Sequence, residues 1–279
     1  ETTSTRPVEA GLVGISLSIQ EGEGYYIPIS QSTILQSTTS QPPSLFAALP
    51  EEPSPSSGPQ LPLDIVIEKL RPVLEDPRQP KYAHNGGFDY AVLAQHGLRV
   101  QNLAFDTMIA AWLLDPASRN LGLKDLAWAK LGVDMTPITA LIGKGKKQIS
   151  MAQVPVEQVA PYAAADADMT YRLVKVLEPE LKEKALWKLF VQVEMPLVPV
   201  LAEMELAGVK LDVDYLRRMS KELEEQLREL EKRIYQEAGV TFNIGSTQQL
   251  SQVLFERLKL PTKGIKKTKS GRYSTGCLL

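Results

Sequence analysis

The chain has 279 residues, 43% of them apolar and 23% charged, with a net charge of −2. This make-up fits an ordinary soluble globular protein with room for one large domain, or a medium domain plus an appendage. No apolar run approaches the roughly 18–20 residues of a membrane span, no leader segment is readable, and the single cysteine, Cys277, excludes a disulfide framework and a cysteine zinc site, which suits a reducing cytoplasm.

Charge is unevenly spread. Residues 181–279 hold 17 Lys/Arg against 13 Asp/Glu, whereas residues 1–180 hold 14 against 20. An acidic first part suits carboxylates that hold divalent cations, because the metals then face the partner with positive charge.

In chain order, residues 11–20 read as a strand (Leu12, Val13, Ile15, Leu17, Ile19) and 25–29 as a second, joined by a tight Glu-Gly-Glu-Gly turn into a hairpin. Residues 30–62 change character: 23 of the 33 are Ser, Thr, Pro, Gln or Gly, the composition of a low-complexity insert. Helical spacing resumes over 64–75. A short run over 81–84 leads to a helix from Asn85 to Gly97, a strand over 100–105 and a helix over 107–114 that Asp106 caps. A helix over 124–131, a Gly/Lys loop and a mostly helical stretch over 155–185, bent or restarted at Pro161, follow. Strands first and helices interleaved later predict an α/β fold with a mixed sheet flanked by helices. Beyond about residue 186 the pattern is all-helical. Asp212 or Asp214 caps a long helix that Gly239 closes, and Ser246 caps another. A domain boundary is expected near 186, giving 1–186 and 187–279.

Three constellations could carry chemistry. In Asn85-Gly-Gly-Phe-Asp89, Asn85 would cap a helix with Asp89 one turn in, and the glycines would leave space beside that carboxylate; a helix start with one solvated Asp explains the same residues. In Tyr162-Ala-Ala-Ala-Asp166, the i, i+4 spacing places phenol and carboxylate on one face; an amphipathic helix with a buried Tyr is the plain alternative. Asp168 must face elsewhere and reads as structural. Glu1-Thr-Thr gains weight only beside the other two.

In their order, Glu1-Thr-Thr-Ser, Asn85-xxx-Asp89 and Tyr162-xxx-Asp166 resemble the three exonuclease motifs of the DEDDy nucleases. The segments Phe105-Asp-Thr-Met108, Gly143-Lys-Gly-Lys-Lys-Gln148, Glu194-Met-Pro-Leu-Val-Pro-Val-Leu201, Gly208-Val-Lys-Leu-Asp212 and Phe242-Asn-Ile-Gly-Ser-Thr-Gln-Gln-Leu250 narrow the match. They resemble the corresponding stretch of the bacterial DNA polymerase I family (family A), over nearly the whole chain outside 30–62 and the last residues. The resemblance implies a 3′–5′ proofreading exonuclease domain on an RNase H-like fold, followed by an all-helical start of a polymerase thumb.

By position, the resemblance makes Glu1, Asp89 and Asp166 the metal-holding carboxylates, Tyr162 a catalytic and substrate-contacting residue, and Asn85 a substrate-site residue. It implies two divalent ions, Mg²⁺ with Mn²⁺ as the alternative, and DNA as partner: a single-stranded or frayed 3′ end at the nuclease site and duplex near the thumb. A monomer in a bacterial cytoplasm is expected. Oxygen ligands suit hard ions, so His84 and His96 are not needed. A phenol of ordinary pKa near 10 would orient the attacking water rather than deprotonate it.

The pattern also calls for an Asp two positions before Glu1, which this sequence does not contain, and residues 274–279 stop matching it. Both features, with the missing initiator Met, are expected of a fragment, and the isolated chain's own activity is then in question. Neither a polymerase palm nor a 5′-nuclease region is expected within it. Three readings follow: an active proofreading module, an exonuclease-like scaffold, or a stand-alone RNA-trimming DEDDy enzyme. Keeping Asp89, Tyr162 and Asp166 together argues against the second, and the thumb-like stretch over 194–250 against the third. The Lys144/Lys146/Lys147 loop is not a phosphate-cradling P-loop. The basic tail of Lys263, Lys266, Lys267, Lys269 and Arg272 is either a duplex-phosphate contact or a solvated terminus.

Overall fold

The computed structural model describes residues 1–30, 59–268 and 271–276. Most of the Ser/Pro-rich insert, like Lys269 and Cys277, lies outside them. The chain divides into two compact units, Glu1–Gly208 and Val209–Leu279.

The first unit opens with the expected hairpin, β1 (Gly14–Gln20) paired antiparallel with β2 (Glu23–Pro28). Residues at the chain start extend this edge: the Val13 and Thr3 amides donate to the Glu1 and Gly11 carbonyls at 2.8 and 2.9 Å. After the insert, Leu61 bridges to Ile29, and α1 (Leu63–Leu74) follows. β3 (Lys81–Ala83), α2 (Gly86–Gln95), β4 (Leu103–Asp106) and α3 (Thr107–Leu114) form a βαβα run in which β3 and β4 pair in parallel. The strands thus have both senses, as a mixed sheet requires. Among the described residues they are hydrogen-bonded as two separate pairs.

α4 (Leu123–Leu131), the short α5 (Thr139–Ile142) and α6 (Val156–Glu183) complete the layer that covers the strands. α6 is continuous over 28 residues, although Pro161 was expected to bend or restart it. A proline deletes one intrahelical bond, and burial of Val159, Tyr162 and Ala163 on either side holds the helix together. Gly24 explains how closely β2 lies on α6: a Cβ there would meet the Ala164 carbonyl oxygen at 2.3 Å.

The unit continues through α7 (Trp187–Leu189), a π-helical segment (Phe190–Glu194) and α8 (Met195–Ala207), past the boundary expected near 186. The reason is burial. Phe105, Phe190, Leu173, Leu177, Met195 and Val198 share one core, with the Phe105 and Phe190 ring centroids 4.7 Å apart. Tyr90 on α2 also donates to Glu203 on α8 at 2.8 Å.

The second unit is helical, as expected. α9 (Val213–Ala238) is capped by the Asp212 carboxylate, which accepts the Tyr215 amide, and is closed by Gly239 in the left-handed region. α10 (Thr247–Ser251) is capped by Ser246 and runs into a π-helical turn, Gln252–Arg257. Leu216, Leu223, Leu227, Leu230 and Ile234 form an exposed apolar stripe along α9. Among the described residues no single helix is long and apolar enough to cross a membrane.

Candidate functional site

Glu1, Asp89, Tyr162 and Asp166 come from three separated segments. Glu1 is held by its backbone beside the start of β1, since its carbonyl also accepts the Gly14 amide at 3.3 Å. Tyr162 and Asp166 stand one turn apart on α6, which packs on the same hairpin, and the Asp166 carboxylate acts electrostatically on the Tyr162 phenol. Asp89 stands in the first turn of α2.

Asn85 corrects the expected cap. It occupies the N-cap position, but with φ +62° and no cap hydrogen bond from its side chain. Asn tolerates this left-handed geometry better than most residues. The cap comes instead from Asp106, whose carboxylate accepts the Asn85 and Gly86 amides at 3.2 and 2.6 Å. The same carboxylate accepts the Met108 and Ile109 amides at the start of α3. Gly86 serves protein packing, because a Cβ there would meet Leu103 and Ala83 at 2.8 and 2.9 Å, whereas a Cβ on Gly87 would have only Val198 within reach, at 3.7 Å.

Electrostatics ties the set together through Glu1. Asp89 is exposed to solvent. Protein crowded around it raises its carboxyl to about 7; the Glu1 ammonium opposes this, and the Asp106 and Glu1 carboxylates add to the rise. Burial also raises the Asp166 carboxyl; Lys124 opposes this and Glu1 reinforces it. The Tyr162 phenol, buried on α6, is raised well above its ordinary range by burial first and then by Asp166 and Glu1. Tyr162 is therefore neutral at any physiological pH. Among the described residues no three His, Cys, Asp or Glu side chains are gathered so as to hold a metal ion.

One residue at the site was not legible as such in the sequence. Lys124, in the first turn of α4, places its Nζ 3.4 Å from Asp166 Oδ1 and 4.1 Å from the centre of the Tyr162 ring. Forty-two positions separate Lys124 from Asp166, so no local pattern announces the contact. Beside the pair opens a cavity of about 130 Å³, lined by Met135, Leu141, Gln158 and Ala165 together with Tyr162 and Asp166. Asp168 takes the structural role expected of it, accepting the Gly22 amide at 2.8 Å and pairing with Arg172. His84 is engaged with Thr107 Oγ1 at 2.8 Å.

Residues 1–182 match the family model described as 3′–5′ exonuclease, and residues 213–278 match DNA polymerase family A. The DNA polymerase I of Chloroflexus aurantiacus is 46% identical over 98% of this chain and 27% of its own length. That of Pseudomonas aeruginosa is 36% identical over 99% of this chain and 28% of its own length. The chain thus spans about a quarter of the length of these curated relatives. Among solved structures, the POL domain of Pol1 from M. smegmatis, in complex with DNA primer-template and dNTP, superposes with a TM-score of 0.65 at 26% identity, over 96% of this chain and 38% of that one. Brucella melitensis NrnC superposes at 0.52 and 24% identity, over 75% of this chain and 82% of that one, which shows a shared fold. With this match over its first 182 residues, the chain belongs to the 3′–5′ exonuclease family, joined to the beginning of a family A DNA polymerase region.

Proposed function

We propose that this chain carries the editing site of a DNA polymerase I, which hydrolyses the 3′-terminal phosphodiester of a DNA strand. Water attacks the phosphorus, the bond to the 3′ oxygen of the preceding nucleotide breaks, and a nucleoside 5′-monophosphate leaves a strand shorter by one. The observation that carries this reading is the match of residues 1–182 to the 3′–5′ exonuclease family, a span that contains Glu1, Asp89, Tyr162 and Asp166.

The donor chemistry suits divalent cations. The set offers only hard oxygen ligands, and Asp89 and Asp166 both carry carboxyl groups raised by the surrounding protein and by the Glu1 carboxylate, so their negative charge is incompletely offset by the protein. Glu1, Asp89 and Asp166 would hold two ions, Mg²⁺ or Mn²⁺. Bound ions supply Lewis-acid activation of water and charge relief at the leaving oxygen.

The remaining tasks belong to the protein. Tyr162, neutral and with its ring against Lys124, orients water by a hydrogen bond and does not act as a base. Asn85, free of cap duty, is available to the substrate strand. Met135 and Leu141 give the neighbouring cavity an apolar lining suited to an unpaired base. A frayed end reaches such a site at lower cost than a paired one, which is the physical basis of editing. The lysine- and arginine-rich second unit suits duplex phosphates.

The test uses the chain extended upstream to include the Asp that the motif pattern calls for before Glu1. Shortening of a single strand is followed with and without Mg²⁺, beside Asp166→Ala. Metal-dependent, stepwise loss of 3′ nucleotides that Asp166→Ala reduces at least about 100-fold is expected. Trimming that ignores either the metal or Asp166 overturns the reading.

A further inference from the structure

A lysine enters the site beside Asp166, and its placement is specific. Lys124 leaves the first turn of α4, whose Leu126 and Ala127 are buried, so the stem of the side chain starts from a fixed base. Its ammonium meets both functional groups of α6 at once, Asp166 Oδ1 at 3.4 Å and the Tyr162 ring at 4.1 Å from its centre. The Glu1 carboxylate acts on the same two residues. At 3.4 Å the ion pair is longer than the 2.7–2.9 Å of a tight charge-assisted bond, so the contact is one the carboxylate can exchange. The aromatic face gives the ammonium a second, uncharged resting place, because a cation over a phenol ring is attracted without a carboxylate.

We propose that Lys124 is a positioning residue that stands in for a divalent ion: it holds Asp166 and Tyr162 together in the ion-free site and gives up the carboxylate when an ion binds. Lys124 thereby competes with the ion for Asp166 and sets how readily the site loads. The inference rests on the reading of Asp166 as an ion ligand.

The test measures Mn²⁺ binding calorimetrically to the chain extended upstream by the Asp that the motif pattern calls for, and to its Lys124→Met, Lys124→Arg and Asp166→Asn variants, alone and combined, with melting curves for each. Removing one positive charge a few ångströms from a divalent ion is worth on the order of tenfold in affinity, so Lys124→Met is expected to bind Mn²⁺ about tenfold more tightly at an unchanged melting temperature. Lys124→Arg should stay within about threefold of the starting chain, and the gain should vanish in the Asp166→Asn background, since the competition is for that carboxylate. If Lys124→Met unfolds, Lys124→Gln, which keeps a polar group, carries the same comparison. Unchanged or weaker Mn²⁺ binding in a folded charge-removed variant overturns the proposal, as does Arg behaving like Met. If neither the starting chain nor Lys124→Met binds Mn²⁺, the ion-ligand reading of Asp166 fails first, an outcome distinct from equal binding by both.

Discussion

Asp106 accepts the Gly86 amide at 2.6 Å across 20 residues of sequence, while its other oxygen accepts the Met108 amide at 2.8 Å. One buried carboxylate therefore caps two helices, α2 and α3. Helix starts present unsatisfied amides and a partial positive charge, and a single anion serves both when the two starts converge. Since Asp89 lies one turn into α2, this shared cap also fixes where that carboxylate stands.

Asp106→Ala should be strongly destabilising. Loss of two caps and exposure of buried amides costs about 3 kcal/mol, read as a lower urea midpoint at unchanged slope. Asp106→Asn, whose single amide oxygen serves one helix start, should lose roughly half as much. A loss below about 1 kcal/mol for the alanine variant would mean that water or Asn85 takes over the cap.

Gly24→Ala tests how tightly the hairpin is laid on α6. A methyl group would meet the Ala164 carbonyl oxygen at 2.3 Å, and backbone on both sides leaves no flexible side chain to yield. Overpacking of this kind costs about 1–3 kcal/mol. Because Ala164 lies between Tyr162 and Asp166, the variant should also lose trimming activity at temperatures where it remains folded. Activity equal to the parent's there would separate the packing from the site.

The raised Asp89 carboxyl predicts a pH dependence of stability. Its folded value of about 7 exceeds the ordinary 3.8, so between these values the folded state binds more protons than the unfolded one. Stability then falls as pH rises through that window. Melting curves recorded from pH 4 to 8 without divalent ions should show this decline, and Asp89→Asn, which cannot ionise, should flatten it. Divalent-ion binding that needs ionised Asp89 should strengthen over the same range. A wild-type slope equal to that of Asp89→Asn would show that Asp89 titrates normally.

Tyr162→Phe keeps the ring against Lys124 and removes only the phenol hydroxyl. If the phenol orients water, kcat should fall by about 10- to 100-fold with KM within about twofold. A loss confined to KM would assign Tyr162 to substrate holding alone.

Much of the chain was legible locally. The i, i+4 spacing of Tyr162 and Asp166 predicts a shared helical face, and Lys124 reaches both side chains there. Asp212, Ser246 and Asp106 cap the helices that follow them, because capping acts over two or three residues. Asn85 shows the limit of such reasoning. Its type suits a cap, but the Asp106 carboxylate is better placed for the same amides, and the backbone at Asn85 turns left-handed instead.

By itself, the sequence determined the identity and order of Glu1, Asp89, Tyr162 and Asp166, the helical face of α6 and the run of strands and helices, since each depends on residues a few positions apart. Tertiary structure alone decided three further things: that Asp106 caps a second helix, that the first unit reaches Gly208, and that Lys124 enters the site. Each depends on packing between elements 20 or more residues apart, on burial of Phe190 against Phe105 and on the seating of α4 against α6. Such contacts are set by shape and buried area, which no local spacing encodes.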